Sequence, residues 1–182
     1  MNAARVLLLS LLLCCVPLRG QAIPVTHATS LANTDVNLPD DLKGRVAILL
    51  LGFSKSSSRQ TKFWSDRIER DFGSDSEIVF YEIPMLQQVP RLLRGVVLDG
   101  MRKPLSTAQR RRFLPVFDNE EVWKAVTHFA DSNEAYVLLV DGLGQIKWQS
   151  SGAFQEDKYD GLRKRVAVLE CAPTDRDSGS AH

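Results

Sequence analysis

The side chains able to do chemistry are few, and their spacing is poor for it. The 182 residues include three His and three Cys. His27 sits in a polar N-terminal stretch and His182 is the last residue, which leaves His128 as the one imidazole inside a patterned segment. No Cys or His spacing matches a metal site, and no metal or cofactor is expected. A Ser-His-Asp relay would need an activated serine, and no G-x-S-x-G elbow occurs. Gly142-Leu143-Gly144 lacks the third glycine of a dinucleotide loop and lies between two strand-like runs, which makes it a turn. Cys14 and Cys15 fall in an apolar N-terminal run, and Cys171 is a single thiol after the last helical pattern. Hydroxyls, by contrast, are dense in Ser54-Lys55-Ser56-Ser57-Ser58-Arg59-Gln60-Thr61. Such a run at a helix start can cap the helix or offer an anion its unpaired amides, and capping alone explains it.

The elements that must position these groups follow from periodicity. RVAILLLGF, 45–53, is a short apolar run suited to a strand buried on both faces. Ser57 with Gln60 at the third position fits a capping box, and the apolar stripe Phe63, Trp64, Ile68 and Phe72 carries a helix to Phe72, with Gly73 at a left-handed C-cap position. EIVFYEI, 77–83, is a second strand. Residues 85–101 are helical with a start interrupted by Pro90, so that the second half is bent or begins late, and 112–117 is a short edge strand containing Pro115. Residues 119–130 form a helix capped by Asp118 or Asn119 that buries Val122, Ala125, Val126 and Phe129. A hairpin follows over 135–140 and 145–150, with Trp148 and Ile146 on one face, and a last helix covers 157–169.

Composition places few bounds beyond an ordinary domain. With 44% hydrophobic and 25% charged residues, disorder and coiled coil are excluded, and a formal charge of +1 lacks the field a nucleic-acid partner needs. Arg5, the apolar run Val6 to Leu18 and the small residues Gly20 to Ala22 form a secretory signal over 1–22. The run is about 13 residues against the roughly 20 a spanning helix needs. Export to the periplasm, the cell envelope or the outside is therefore expected, with a mitochondrial address as the alternative. Residues 23–39 are expected to be a flexible leader, 40–171 the domain, and 172–182 a disordered tail.

The order β-α-β-α-β-α-β-β-α predicts three crossover units and then a hairpin. That is an α/β, thioredoxin-like fold: a central mixed β-sheet with helices on both faces, closed by a C-terminal β-hairpin and helix. In that fold a redox dithiol sits where the first long strand meets its helix. A C-x-x-C template laid on this junction puts Ser58 and Thr61 in the sulfur positions, and Asn133-Glu134-Ala135 lacks the proline that usually precedes the hairpin strand. Over about 38–169, the run Tyr136 to Asp141, Gln145 to Trp148, Ser151-Gly152 and Trp64 resembles the mitochondrial ATP synthase assembly factors and their bacterial relatives. The resemblance implies a thioredoxin-like fold without redox cysteines and a chaperone or assembly role.

The expected function is therefore an exported, redox-inactive protein that binds a protein client as an assembly factor. The alternative is a single-thiol or degenerate thiol-redox or peroxide-related enzyme of the same fold. Client contact is expected at Ser57, Ser58, Arg59, Thr61 and Trp64, with no nucleic acid involved. Peripheral membrane contact is expected through Arg91, Arg94, Arg102 and Lys103, which interleave with an apolar helix face.

Overall fold

The computed structural model describes residues 20–75 and 77–171. Most of the expected signal, residues 1–19, and the tail after 171 lie outside them. β3 (Val46–Gly52) is the fully buried strand its apolar run predicts. It pairs in parallel with β4 (Ile78–Pro84) and antiparallel with β5 (Ala135–Val140), and β6 (Ile146–Ser151) closes the order β4-β3-β5-β6. Strand alternation divides the core in two. Ile48 and Leu50 face Trp64 and Ile68 of α1 (Ser58–Phe72) and Tyr159, Leu162 and Val166 of α5 (Glu156–Glu170). Ala47, Leu49 and Leu51 face Trp123 and Val126 of α4 (Glu120–Val126) on the other side.

That second face has a cover the composition concealed. The expected leader is a hairpin, β1 (Thr26–Thr29) paired with β2 (Asp35–Leu38), and Ile23, Val36 and Leu38 are buried in the core beneath it. The alternation in DVNL is only four residues long, so polar composition masked it. The pairing reaches further back: Ala22 bridges Gln145, and the Gln21 carbonyl accepts from the Ile146 amide at 2.8 Å.

Other elements depart from expectation for physical reasons. Residues 112–117 make only two parallel bridges to the edge of β4, Glu82 with Phe113 and Met85 with Val116, because Pro115 has no amide to donate. They follow α2 (Arg91–Arg102) and a short α3 (Thr107–Arg112). The third connection is not a parallel crossover, since β5 runs antiparallel to β3. In α4 the bulkiest side chain sets the phase: Trp123 is fully buried while Val122 is 48% exposed. A bulge at Leu139/Val140 turns Trp148 and Ile146 to opposite cores, the first against the α1 face and the second against the α4 face.

Candidate functional site

The C-terminal ends of the two parallel strands β3 and β4 open into a cleft of about 850 Å³, the place where open α/β sheets hold their ligands. Its walls come from four elements. Leu50, Gly52 and Phe53 end β3; Ser57, Ser58 and Thr61 belong to the start of α1; Glu82, Ile83, Pro84 and Met85 end β4; and Val96, Val97, Gly100 and Met101 belong to α2. Gly52 is required there, because a Cβ at this position would lie 2.7 Å from the Ser57 hydroxyl.

The junction itself is held together by its own hydroxyls. Ser57 adopts helical angles and makes no side-chain cap; its Oγ donates to the Ser54 carbonyl at 2.8 Å. The Ser58 hydroxyl donates to the Lys55 carbonyl at 2.7 Å and that of Thr61 to the Ser58 carbonyl at 3.1 Å. The expected capping box at Ser57 and Gln60 is thus replaced by a turn that feeds the helix. A true capping box forms at Ser106 and Gln109 of α3 instead. Gly73 likewise ends α1 with φ −65°, not left-handed. Across the cleft mouth, Ser54 donates to the Ser132 carbonyl and Ser56 bonds Asn133, which ties the junction to the loop before β5.

Of the expected client contacts, Ser57, Ser58 and Thr61 line the cleft. Arg59 is exposed on the first turn of α1. Trp64 is not available to a partner: it is fully buried, meets Phe154 edge-on at 5.3 Å and donates Nε1 to the Gly152 carbonyl. Its large apolar surface was the signal for both roles, and the core took it.

The residue missed from sequence is Glu82. Strand parity puts it on the same face as Ile78 and Phe80, and it is 8% exposed on the cleft floor. One carboxyl oxygen, Oε1, accepts from the Ser65 hydroxyl. The other makes no hydrogen bond among the described residues, and Glu82 lines the open cleft. Burial raises this carboxyl to about 7 against the Ser65 bond that lowers it.

Above the cleft, α2 contains no buried residue. Leu92 is 95% and Val96 72% exposed, with Leu93 beside them. The cations expected to meet a membrane divide: Arg94 lies 4.3 Å over the Phe117 ring, and Arg102 donates to the Leu31 carbonyl and pairs with Asp99. Arg91 and Lys103 remain exposed. Cys171, exposed at the end of α5, is the one cysteine among the described residues and does not line the cleft.

A family model described as ATP10 protein matches residues 19–169. No curated protein sequence matches the chain. Among solved structures, the thioredoxin domain of a thiol-disulfide oxidoreductase from Bacteroides vulgatus aligns with TM-score 0.57 and 14% identity, over 81% of this chain and 97% of that one. A putative thiol:disulfide interchange protein from Chlorobium tepidum aligns with TM-score 0.55 and 15% identity, over 83% and 96%. A member of the Sco family of cytochrome c oxidase assembly proteins aligns with TM-score 0.55 and 13% identity, over 82% and 95%. At these identities the likeness is one of fold, thioredoxin-like throughout.

Proposed function

The chain belongs to the ATP10 protein family of ATPase assembly factors, and on that premise we propose that it holds an apolar segment of a protein client in the β3–β4 cleft by non-covalent contact, without thiol exchange. The observation that carries this reading is the cleft itself. It lies where thioredoxin-like enzymes keep their dithiol, yet hydroxyls occupy those positions and are bonded to their own turn. A helix that leaves Leu92 and Val96 in water forgoes about 1.5–3 kcal/mol for each side chain that a partner could bury. Isolated exposed leucines are ordinary, but here they adjoin an apolar cleft, which is the pattern of a contact surface.

The proposal includes export, with the address in residues before the first paired position, Gln21. The mitochondrial reading of that address remains the alternative. The expected membrane contact is proposed in a reduced form, through Arg91 and Lys103.

The test is reconstitution. In cells lacking the protein, the amount of assembled ATP synthase is measured on native gels after return of the wild type, Cys171→Ser, or Leu92→Glu with Val96→Glu. Cys171→Ser is expected to restore assembly fully and the α2 variant to fail while remaining folded. Failure of Cys171→Ser, together with insulin reduction by the wild type, would establish the single-thiol enzyme instead.

A further inference from the structure

A carboxyl group seldom sits on the floor of an apolar cleft without a cation, because burying an unpaired charge costs several kcal/mol. Glu82 does so. Among the described residues, every cation near it is engaged elsewhere or remains unpaired with it. Lys62 is held by Asp66 at 2.8 Å and Arg112 by Glu69 at 3.1 Å, while Lys55 on the cleft lining makes no ion pair with Glu82. Asp66 and Glu69, both on α1, add negative charge on that side. Ser65 satisfies one carboxyl oxygen, and the second makes no hydrogen bond among the described residues. Leu50, Ile83, Val97, Met101 and Phe113 of the lining are apolar, and Glu82 is the one acidic side chain among the residues that line the cleft.

We infer that Glu82 is the recognition point for a single basic side chain carried on an otherwise apolar segment of the client. This deepens the proposed function and rests on it. Charge complementarity selects the basic group: an Arg or Lys seated in the cleft would complete the pairing of the Glu82 carboxylate with a charge-assisted hydrogen bond. Extent selects a polypeptide over a small amine. The apolar lining continues from Val97 and Met101 onto Val96, Leu93 and Leu92, along a helix of 12 residues that is about 18 Å long. A small cation would leave that strip uncovered. The cleft then discriminates between apolar segments, which on hydrophobicity alone would bind alike, by admitting the one with a correctly spaced positive charge.

The experiment uses two end-capped 16-residue Ala/Leu peptides with a fluorophore, identical but for a central Arg in one and Met in the other. Each is titrated by fluorescence anisotropy at pH 8 against the full chain and against Glu82→Gln. That variant keeps the size of the side chain and an oxygen for Ser65. The wild type is expected to bind the Arg peptide more tightly than the Met peptide by at least about tenfold. Glu82→Gln should reduce that preference to less than about twofold. Equal binding of both peptides by the wild type, or a preference that survives in Glu82→Gln, would overturn the inference and leave the apolar cleft standing. If neither peptide binds, the cleft is not a client site, and the inference and the proposed function fail together.

Discussion

Replacing Glu82 by a glutamine should make the protein more stable at pH 8 and leave it nearly unchanged at pH 5. The carboxyl titrates at about 7 in the folded chain, raised chiefly by burial, against an ordinary value of 4.5. An acid whose folded value is raised is held protonated by the fold. The stability it contributes is complete below the unfolded value and is lost as pH rises through the folded one. The separation between the two values corresponds to about 3 kcal/mol, nearly all of it lost by pH 8. The amide of the variant carries no charge at any pH, so Glu82→Gln should escape that loss. For a chain of this size the difference is roughly 5–10 °C in Tm at pH 8. The assay is thermal unfolding of both proteins by circular dichroism at half-unit steps from pH 5 to 8. Asp71, held low first by the Tyr159 hydroxyl, has the opposite dependence, losing its contribution only as pH falls below the carboxylate range, and it is common to both proteins. Parallel Tm curves across the range, or a variant less stable at pH 8, would refute the reasoning, since Glu82 would then ionise in the fold at no cost.

Three further outcomes are expected. Ser58→Ala with Arg59→Ala should weaken binding of the Met peptide, after correction for folded fraction, more than Arg163→Ala with Lys164→Ala on α5; equal losses would reduce the junction to a structural turn. Trp64→Ala should destabilise the fold by about 3–5 kcal/mol, measured by urea unfolding, yet leave peptide affinity unchanged in the folded fraction. Lost affinity there would return Trp64 to the client surface. Mass spectrometry of the native chain should find its N-terminus at or before Gln21, because a cut after Ala22 would remove the Gln21 and Ala22 pairing with β6; a chain beginning at Ile23 would contradict this.

The parts of the fold that long periodic segments encode were legible. The apolar run of β3, the buried Trp64 and Ile68 of α1, the hairpin turn before β6 and a helix α2 that begins after Pro90 stand where periodicity put them, whereas Phe63 of the expected α1 stripe is exposed. Short elements escaped because four residues of alternation, as in β2, cannot outweigh polar composition. Ser57 met the sequence pattern of a cap, but its hydroxyl had a nearer acceptor in the Ser54 carbonyl. The phase of α4 went to Trp123 because burial favours the largest apolar surface on a seven-residue helix. The cleft was half legible: Ser57, Ser58 and Thr61 followed from where the fold keeps its chemistry. Glu82 was written in the strand parity it shares with Ile78 and Phe80, but an acid in a strand reads as solvent-facing until a helix is seen to cover it.

The central claim is that the β3–β4 cleft, with no thiol in it, receives an apolar client segment. Amide shift mapping of the ¹⁵N-labelled Cys171→Ser protein, titrated with the Met peptide, tests it most directly. Saturable changes concentrated at Gly52, Ser58, Thr61, Val97 and Gly100, which border the cleft, are the predicted result. Changes confined to the opposite faces of α5 and β6, or binding that requires the Cys171 thiol, would contradict the account.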